Sequence, residues 1–316
     1  MSTALTPSRG KAVSLQFKTT RSVKIKQVLE ALERFAPLPL QESWDNAGLQ
    51  IGLTEAEVSG ALLCLDVNEQ IISEAVAKGC NLVVSHHPLL FRGLKQVADL
   101  NDVQRTVRRA IKEDIAVISM HTNLDNARGG VNFKIAERLG LVDTCFGEET
   151  SLFGGEAALF GGETALFGGE TAEHGPVPGG FPVGKNSLEK GQWVMGTLPE
   201  PMAACDFVLH VKRQLEAKSA MCNEMLRRPV RRVAICGGAG DFVLDEAIAR
   251  GADAFLTGEM HYHQYFGHEQ QIQICVVGHY ESEHFTKELL RDIIERDCSG
   301  VRTEIAETNT NPILYL

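Results

Sequence analysis

Residues 60–85 have the sequence GALLCLDVNEQIISEAVAKGCNLVVS, and this stretch determines the predicted fold class. Two short apolar runs, 60–67 and 81–85, have the length and composition of buried strands. Between them, residues 68–79 have an amphipathic helical pattern that ends at Gly79, and glycine commonly ends a helix. A strand, a helix and a second strand at this spacing form a βαβ unit, so the sequence predicts a parallel sheet.

The same alternation continues in both directions along the chain. A helix is predicted at 23–36, where apolar residues recur at helical spacing, and the segment SWDNAGLQIG at 43–52 is predicted to be a loop. Further helices are predicted at 103–113, 242–250 and 281–296, and further strands at 115–120, 232–236, 254–256 and 272–277. We therefore expect an α/β protein with two lobes, 22–146 and 188–316, built on mainly parallel sheets.

Composition restricts the classes of protein that this chain can be. Its 316 residues are enough for two domains, and hydrophobic and charged contents of 44% and 23% are those of globular proteins. A net charge of −10 disfavours nucleic acid as a partner, and no apolar run approaches the roughly 20 residues of a membrane span. Cys64, Cys236 and Cys275 lie in predicted strands, so we expect reduced core thiols and a cytoplasmic protein.

Two segments lie outside the predicted lobes. Residues 1–21 form a basic arm that is either an organelle transit peptide or an extension ahead of the first lobe. Residues 147–187 contain SLFGGEA, ALFGGET and ALFGGET in succession at 151–171. A Gly-Gly pair in every seven residues excludes a stable helix, so we predict an exposed insertion here.

Histidines and carboxylates follow directly after three of the predicted strands. They are His86 and His87 after 81–85, His121 and Asp125 after 115–120, and His279 and Glu283 after 272–277. Ligands of open parallel sheets gather at the carboxyl ends of the strands. Mixed nitrogen and oxygen donors suit Zn, Mn, Fe, Co or Ni better than Mg or Ca. The pattern indicates a site for divalent metal that activates water, and hydrogen-bonded surface residues are the alternative.

Three residues are candidates for proton transfer or for orienting a ligand. Glu259 and His263 lie in TGEMHYH at 257–263, and His121 lies four residues before Asp125. For Glu259 and His263, a supporting or structural role is the alternative. The GGAG segment at 237–240 is either a phosphate cradle or a tight turn that only glycine allows, and without GxxxxGK[ST] a P-loop is excluded. Residues 44–46 are predicted to anchor a loop or to shape the rim of the site.

Seven motifs in this order resemble the signatures of the NIF-three-like (NGG-interacting factor three) proteins: SWDNAGLQIG, LCLDVNEQ, VVSHHPLLF, HTNLDNARGGVN, ICGGAGDF, TGEMHYH and GHYESE. The likeness covers about residues 22–145 and 190–316. Bacterial members of this family carry the name GTP cyclohydrolase 1 type 2 homolog. The resemblance implies a dinuclear divalent-metal centre in the cleft between the lobes and a homo-oligomeric ring, typically a hexamer. Carried over by position, it implies five metal ligands: His86, His87, Asp125, His279 and Glu283.

The sequence therefore predicts a dinuclear metal-dependent hydrolase that resembles GTP cyclohydrolase 1 type 2 and acts on a nucleotide-like small molecule. We expect two divalent ions per subunit and neither a membrane nor nucleic acid as a partner. Five protein ligands leave coordination positions open on two ions, which favours an enzyme. Two alternatives stay open: a two-metal phosphoesterase, and a non-catalytic metal-binding scaffold or metal chaperone.

Overall fold

The structure is a computed structural model that describes residues 22–148 and 189–316. Its helices are α1 (Ile25–Phe35), α2 (Glu69–Ala77), α3 (Asp102–Lys112), α4 (Thr122–Asp125), α5 (Val131–Arg138), α6 (Ala204–Gln214), α7 (Leu244–Ala249), α8 (His279–Glu283) and α9 (Thr286–Asp297). Its strands are β1 (Gly48–Ile51), β2 (Ala61–Cys64), β3 (Leu82–Ser85), β4 (Ala116–Ser119), β5 (Val142–Phe146), β6 (Val194–Met202), β7 (Met221–Cys222), β8 (Val230–Cys236), β9 (Ala254–Thr257), β10 (Gln273–Val276) and β11 (Thr303–Ile305). The predicted basic arm and the heptad repeat fall outside the described residues.

The first sheet confirms the predicted βαβ unit. Its strand order is β1-β4-β3-β2-β11, and β4, β3, β2 and β11 run parallel to one another. Every residue of β2, β3 and β4 is buried, which is why these strands have continuous apolar sequences. Asn68 caps α2 by accepting hydrogen bonds from two backbone N–H groups, and Gly79 follows the helix with a φ of 64°.

The segment 43–52 is only partly the loop that was predicted. Its last residues form β1, which pairs antiparallel with β4 at the edge of the sheet. Only Gly48 and Ile51 of this strand are buried, so the sequence lacks both an apolar run and a regular alternation. A short edge strand of this kind has no clear pattern.

The second sheet is mixed rather than mainly parallel. Its order is β5-β6-β8-β9-β10-β7, and only β8, β9 and β10 at its centre are parallel to one another. The flanking pairs β5–β6, β6–β8 and β7–β10 are antiparallel. The prediction found β8 and β10 but missed β5, β6 and β7. The sequence of β6, VMGTLPEPM, contains glycine and two prolines, and three of its nine residues are exposed.

The two sheets exchange strands across the predicted lobe boundary. β5 belongs to the first predicted lobe but pairs in the second sheet, whereas β11 near the carboxyl terminus pairs with β2 in the first sheet. One buried cluster includes Leu63 and Ile118 of the first sheet together with Ile235 and Leu256 of the second. The division into 1–21, 22–146, 147–187 and 188–316 stays a prediction. The helices in the described ranges are too short or too polar to cross a membrane.

Candidate metal centre

Six polar side chains gather where the carboxyl ends of β3 and β4 meet helix α8. The parallel register sets Ser85, the last residue of β3, beside Ser119, the last residue of β4, so the residues that follow both strands emerge at the same level. Helix α8 adds two further side chains from the end of β10. The gathered residues are those predicted from the strand ends: His86, His87, His121, Asp125, His279 and Glu283.

His86 has the surroundings expected of a metal ligand. It is fully buried, and its Nδ1 donates a hydrogen bond of 2.8 Å to the carbonyl oxygen of Met120, which can only accept. In the neutral ring Nε2 then carries a lone pair, and this atom has no hydrogen-bond partner among the described residues. It lies 3.6 Å from Asp125 Oδ1 and 3.8 Å from Glu283 Oε2. A buried lone pair that faces two carboxylates without a hydrogen bond fits a bound cation.

Glu283 lies at the centre of the cluster. Its Oε2 is 3.0 Å from His87 Nε2 and 3.1 Å from His279 Nε2, and these two nitrogens are 3.3 Å apart. Glu283 belongs to two groups of three donors whose ligand atoms lie within 4.8 Å of one another: His87, His279 and Glu283, and His86, Asp125 and Glu283. One carboxylate is therefore shared between two groups that could each hold an ion.

The other three histidines of the cluster each donate Nδ1–H to a carboxylate, which turns Nε2 towards the centre. The pairs are His87 with Asp66 at 2.7 Å, His121 with Asp45 at 2.7 Å and His279 with Glu259 at 2.8 Å. Such carboxylate partners fix the tautomer and the orientation of imidazole, and they are characteristic of histidines that bind metal.

Ionisation within the cluster is strongly perturbed. Burial lowers the pKa of His87, but its hydrogen bonds to Asp66 and Glu283 outweigh burial and raise the pKa to about 10. Burial likewise lowers the pKa of His279, and contacts with Glu283 raise it overall to about 9. Burial would raise the pKa of Glu283, yet hydrogen bonds from His279 and His87, together with the nearby ring of His86, hold it well below its usual range. Burial raises the pKa of Asp125. A divalent ion that binds here displaces protons from the histidines.

His121 lies close enough to His86 and His87 to be a metal donor itself, whereas the sequence predicted only proton transfer or an orienting role for it. Its ring centroid is 5.4 Å from that of His86 and 5.5 Å from that of His87, and the three form a further group that could hold an ion. Asp45, which holds its Nδ1, has a fully enclosed side chain and also accepts from the backbone N–H of Thr122 at 3.0 Å. The predicted loop anchor at 44–46 is thereby confirmed for Asp45, whereas Trp44 is 58% exposed.

Glu259 and His263, the predicted acid–base candidates, are placed very differently. Glu259 contacts the cluster through His279 and keeps a partly exposed carboxylate. His263 lies in a short 3-10 helix, where its ring contacts are with Tyr262 and Phe266. His263 is absent from every group of donors that could hold an ion in the described ranges. The structure thus brings Glu259 to the site through His279, but it does not bring His263 there.

Asp66 is a site residue that the sequence reasoning missed. Its Oδ1 accepts from His87, and its Oδ2 accepts from the hydroxyl of Thr310 at 2.6 Å. The signal was available, because Asp66 follows β2 as the histidines follow β3. The parallel register sets Cys64 of β2 beside Ser85 of β3. Two residues beyond each of these positions, Asp66 therefore lies next to His87. Thr310 carried no signal, since it reaches the site only through the path of the carboxyl-terminal segment.

The glycines of the GGAG segment form the tight turn that was one of the two predictions for it. Gly238 has a φ of 60°, and a Cβ at this position would lie 2.4 Å from Glu283 Oε1. Its backbone N–H donates to Ser282 Oγ at 3.0 Å. The turn therefore packs directly against the central carboxylate, and glycine is needed for both the conformation and the close approach.

Comparisons with known proteins point to one family. The family model described as Duf34/NIF3 (NGG1p interacting factor 3) matches residues 23–312. The GTP cyclohydrolase 1 type 2 homolog of Bacillus subtilis is 27% identical over 94% of this chain and 100% of that protein. The protein of the same name from Campylobacter jejuni is 29% identical over 93% and 100%. The crystal structure of a Bacillus cereus protein related to NIF3 aligns with a TM-score of 0.75 and 25% identity, over 94% of this chain and 100% of that chain. The family match spans every donor of the cluster, and the chain belongs to the Duf34/NIF3 family.

Proposed function

We propose that this protein is a dinuclear metal-dependent hydrolase that acts on a nucleotide-like small molecule. The observation that carries the proposal is the shared position of Glu283 between two groups of three donors. One oxygen of this carboxylate lies 3.0 Å from His87 Nε2 of the first group and 3.8 Å from His86 Nε2 of the second, which suits a position shared by two ions. The unpartnered Nε2 of His86 supports the same arrangement.

The chemistry of the donor set narrows the metal. His86, His87 and His279 supply nitrogen, and Asp125 and Glu283 supply oxygen, a mixture that suits Zn, Mn, Fe, Co or Ni. When bound, such ions supply Lewis acidity and lower the pKa of coordinated water, which makes hydrolysis accessible near neutral pH. Five ligands for two ions leave positions open for water and substrate.

His121 and Glu259 are the residues that we propose for proton handling. The Asp45 carboxylate holds Nδ1 of His121, so the opposite ring nitrogen is free to take up or release a proton. Glu259 uses Oε1 to hold His279, and its side chain is 58% exposed, so it can exchange protons with water. His263 lies apart from these groups, and we assign it no part in the reaction.

A nucleotide-like substrate is proposed from the names of the relatives. Two relatives that match nearly the whole chain carry the name GTP cyclohydrolase 1 type 2 homolog. At under 30% identity this name supports a class of substrate rather than a particular nucleotide. The homo-oligomeric ring and the cytoplasmic location stay predictions.

The test combines metal analysis with a screen of substrates. The purified protein should carry up to two divalent ions per subunit by inductively coupled plasma mass spectrometry, and the metal-loaded protein should hydrolyse a nucleotide or a phosphodiester. Glu283→Gln should lose most of the metal and the activity. Glu281→Gln is the matched control for metal content alone, because Glu281 lies on the same helix and is similarly buried but its carboxylate accepts hydrogen bonds from the carboxyl-terminal segment. If the loaded protein hydrolyses neither class, the non-catalytic scaffold replaces the hydrolase.

A second variant separates the two possible roles of His121. If His121 transfers a proton, His121→Gln should retain its metal while activity falls by about 10²–10⁴-fold. If His121 is instead a ligand, as its grouping with His86 and His87 allows, metal occupancy should fall together with activity. Unchanged activity and unchanged occupancy would refute both roles.

A further inference from the structure

A cavity of about 480 Å³ adjoins the metal cluster on the side of His279. Apolar side chains from three separate parts of the chain line it, including Met221 of β7, Met260 and Ile313. Met221 and Ile313 are each more than half exposed, so apolar surface is presented to solvent next to the candidate centre. Small-molecule sites have this size and this combination of an apolar wall with few polar groups.

The segment that follows β11 forms one wall of this cavity. Ile313 and Tyr315 line it, and both lie beyond residue 312, where the family match ends. Glu281 fixes this wall: its two carboxylate oxygens accept hydrogen bonds from Asn311 Nδ2 at 3.0 Å and from the Tyr315 hydroxyl at 3.1 Å. Glu281 is buried on α8 between the two metal-donor residues of that helix, so the wall and the donors share one support.

Close packing shows that the wall has a defined position. Gly278, just before α8, has a φ of 110°, and a Cβ there would lie 2.5 Å from the Tyr315 hydroxyl. Upstream, the hydroxyl of Thr310 donates to Asp66, the partner of His87. The carboxyl-terminal segment is thus fastened both to α8 and to the acceptor of a metal-donor histidine.

The polar groups of the cavity include two carboxylates. Asp241 and Glu259 contribute carboxylates, with His261 paired to Asp241 at 2.6 Å. None of the lining residues in the described ranges is lysine or arginine. Phosphate groups are usually bound by those cationic side chains, so this cavity does not suit the phosphate of a nucleotide. Carboxylates accept hydrogen bonds from N–H groups, and methionine makes favourable contacts with aromatic rings.

We propose that this cavity binds a flat, uncharged nitrogen heterocycle, the base of the nucleotide-like substrate, with Ile313 and Tyr315 as specificity-determining residues. The inference rests on the proposed function, because it places the ring beside His279 and directs the rest of the substrate towards the metal donors. The ring packs between the methionines and the carboxyl-terminal wall, and its N–H groups donate to the carboxylates of Asp241 and Glu259.

Binding measured by isothermal titration calorimetry tests the proposal without requiring turnover. Guanosine, adenosine and cytidine carry the ring, whereas ribose 5-phosphate carries sugar and phosphate alone. Both the protein as purified and the protein after chelator treatment should bind at least one nucleoside. In the chelator-treated protein, ribose 5-phosphate should bind at least about tenfold more weakly than that nucleoside, because the cavity offers its phosphate no lysine or arginine and presents the carboxylates of Asp241 and Glu259.

Paired variants localise the binding. Ile313→Asp places a charge in the apolar wall and should weaken nucleoside binding by about tenfold or more. Leu314→Asp adds the same charge one residue away, at a side chain that is 82% exposed and does not line the cavity, and should leave binding unchanged. Met221→Asp changes a lining residue of β7, outside the carboxyl-terminal segment, and should repeat the loss. A loss in both variants shows that the effect is not confined to that segment.

The outcomes separate this inference from the proposed function. Wild-type binding by Ile313→Asp and Met221→Asp, equal losses in Leu314→Asp, or preferred binding of ribose 5-phosphate would overturn the ring site. The protein could instead hydrolyse a phosphodiester that has no ring, with wild-type activity in Ile313→Asp and no binding of nucleosides. That result would support the hydrolase and refute the ring site. Nucleoside binding that is weakened by Ile313→Asp, without any hydrolysis, would support the ring site and refute the hydrolase.

Discussion

Removing the carboxylate behind His87 should weaken metal binding although Asp66 is not itself a ligand. Asp66 Oδ1 accepts Nδ1–H of His87 at 2.7 Å and so directs Nε2 of the same ring towards Glu283. Asp66→Ala leaves the imidazole free to rotate and to exchange its tautomer. The ring then presents Nε2 to the metal for only a fraction of the time.

The magnitude follows from the exposure of the pair. Loss of a carboxylate behind a metal-binding histidine typically costs 10–100-fold in metal affinity, which is about 1.4–2.7 kcal/mol. The side chains of His87 and Asp66 are 22% and 38% exposed, so water can replace part of the missing hydrogen bond. We therefore expect a loss near the lower end, about tenfold for the ion that His87 binds.

Competition with a fluorescent zinc chelator gives the affinities of both ions. Asp66→Asn is the control for charge, because the amide oxygen can still accept Nδ1–H, and it should lose less than Asp66→Ala. Thr310→Val removes only the hydroxyl that donates to Asp66 Oδ2, so it should have the smallest effect of the three. An unchanged affinity in a folded Asp66→Ala protein would refute the orienting role, and an equal loss in all three would point to disruption of the loop instead.

The remaining predictions concern the turn at the central carboxylate, the excluded histidine and the carboxyl-terminal segment. Gly238→Ala should lower both metal content and melting temperature, because its Cβ would lie 2.4 Å from Glu283 Oε1 on a backbone with a positive φ; wild-type values by mass spectrometry and calorimetry would contradict this. His263→Asn should keep its metal and its activity, since that ring lies outside the donor groups, and a loss of either would restore it to the site. Burial acts to raise the pKa of Glu74, but hydrogen bonds from Thr308 and neighbouring groups lower it to about 2. The Glu74 carboxylate therefore stabilises the fold above about pH 4.5, and the stability difference between wild type and Glu74→Gln should shrink as pH falls from there towards 2; a constant difference in urea unfolding would refute this.

Much of the fold could be predicted because the central strands are buried on both faces. β2, β3 and β4 have continuous apolar sequences, and glycine or asparagine marks the ends of α2 between them. The edges carried no such signal. β1 is half-exposed, β7 has only two residues, and β6 contains prolines, so their pairing depends on contacts that a local pattern does not encode.

The candidate site could be predicted wherever a donor directly follows a buried strand. That rule found the six clustered side chains, and it would also have found Asp66 had it been applied to β2. It placed no donor at His263, because the chain turns after β9 into a short 3-10 helix without buried residues, and this ring lies outside the donor groups of the described residues. The contribution of the carboxyl-terminal segment could not be foreseen, since Tyr315 reaches α8 only after β11 has returned to the first sheet.

The supporting contacts indicate that the cluster is organised for a cation rather than for the stability of the fold. Four imidazoles have their Nδ1 atoms held by acceptors from separate parts of the chain: the carbonyl of Met120 and the carboxylates of Asp66, Asp45 and Glu259. Ordering buried polar groups so that lone pairs converge lowers stability unless something binds between them. The unpartnered Nε2 of His86 is the clearest instance. An apolar side chain at this position would not leave a buried nitrogen without a hydrogen bond. Donors that converge in this way are those of a site that could bind a cation, and the position of Glu283 in two donor groups is the reason that we propose two ions.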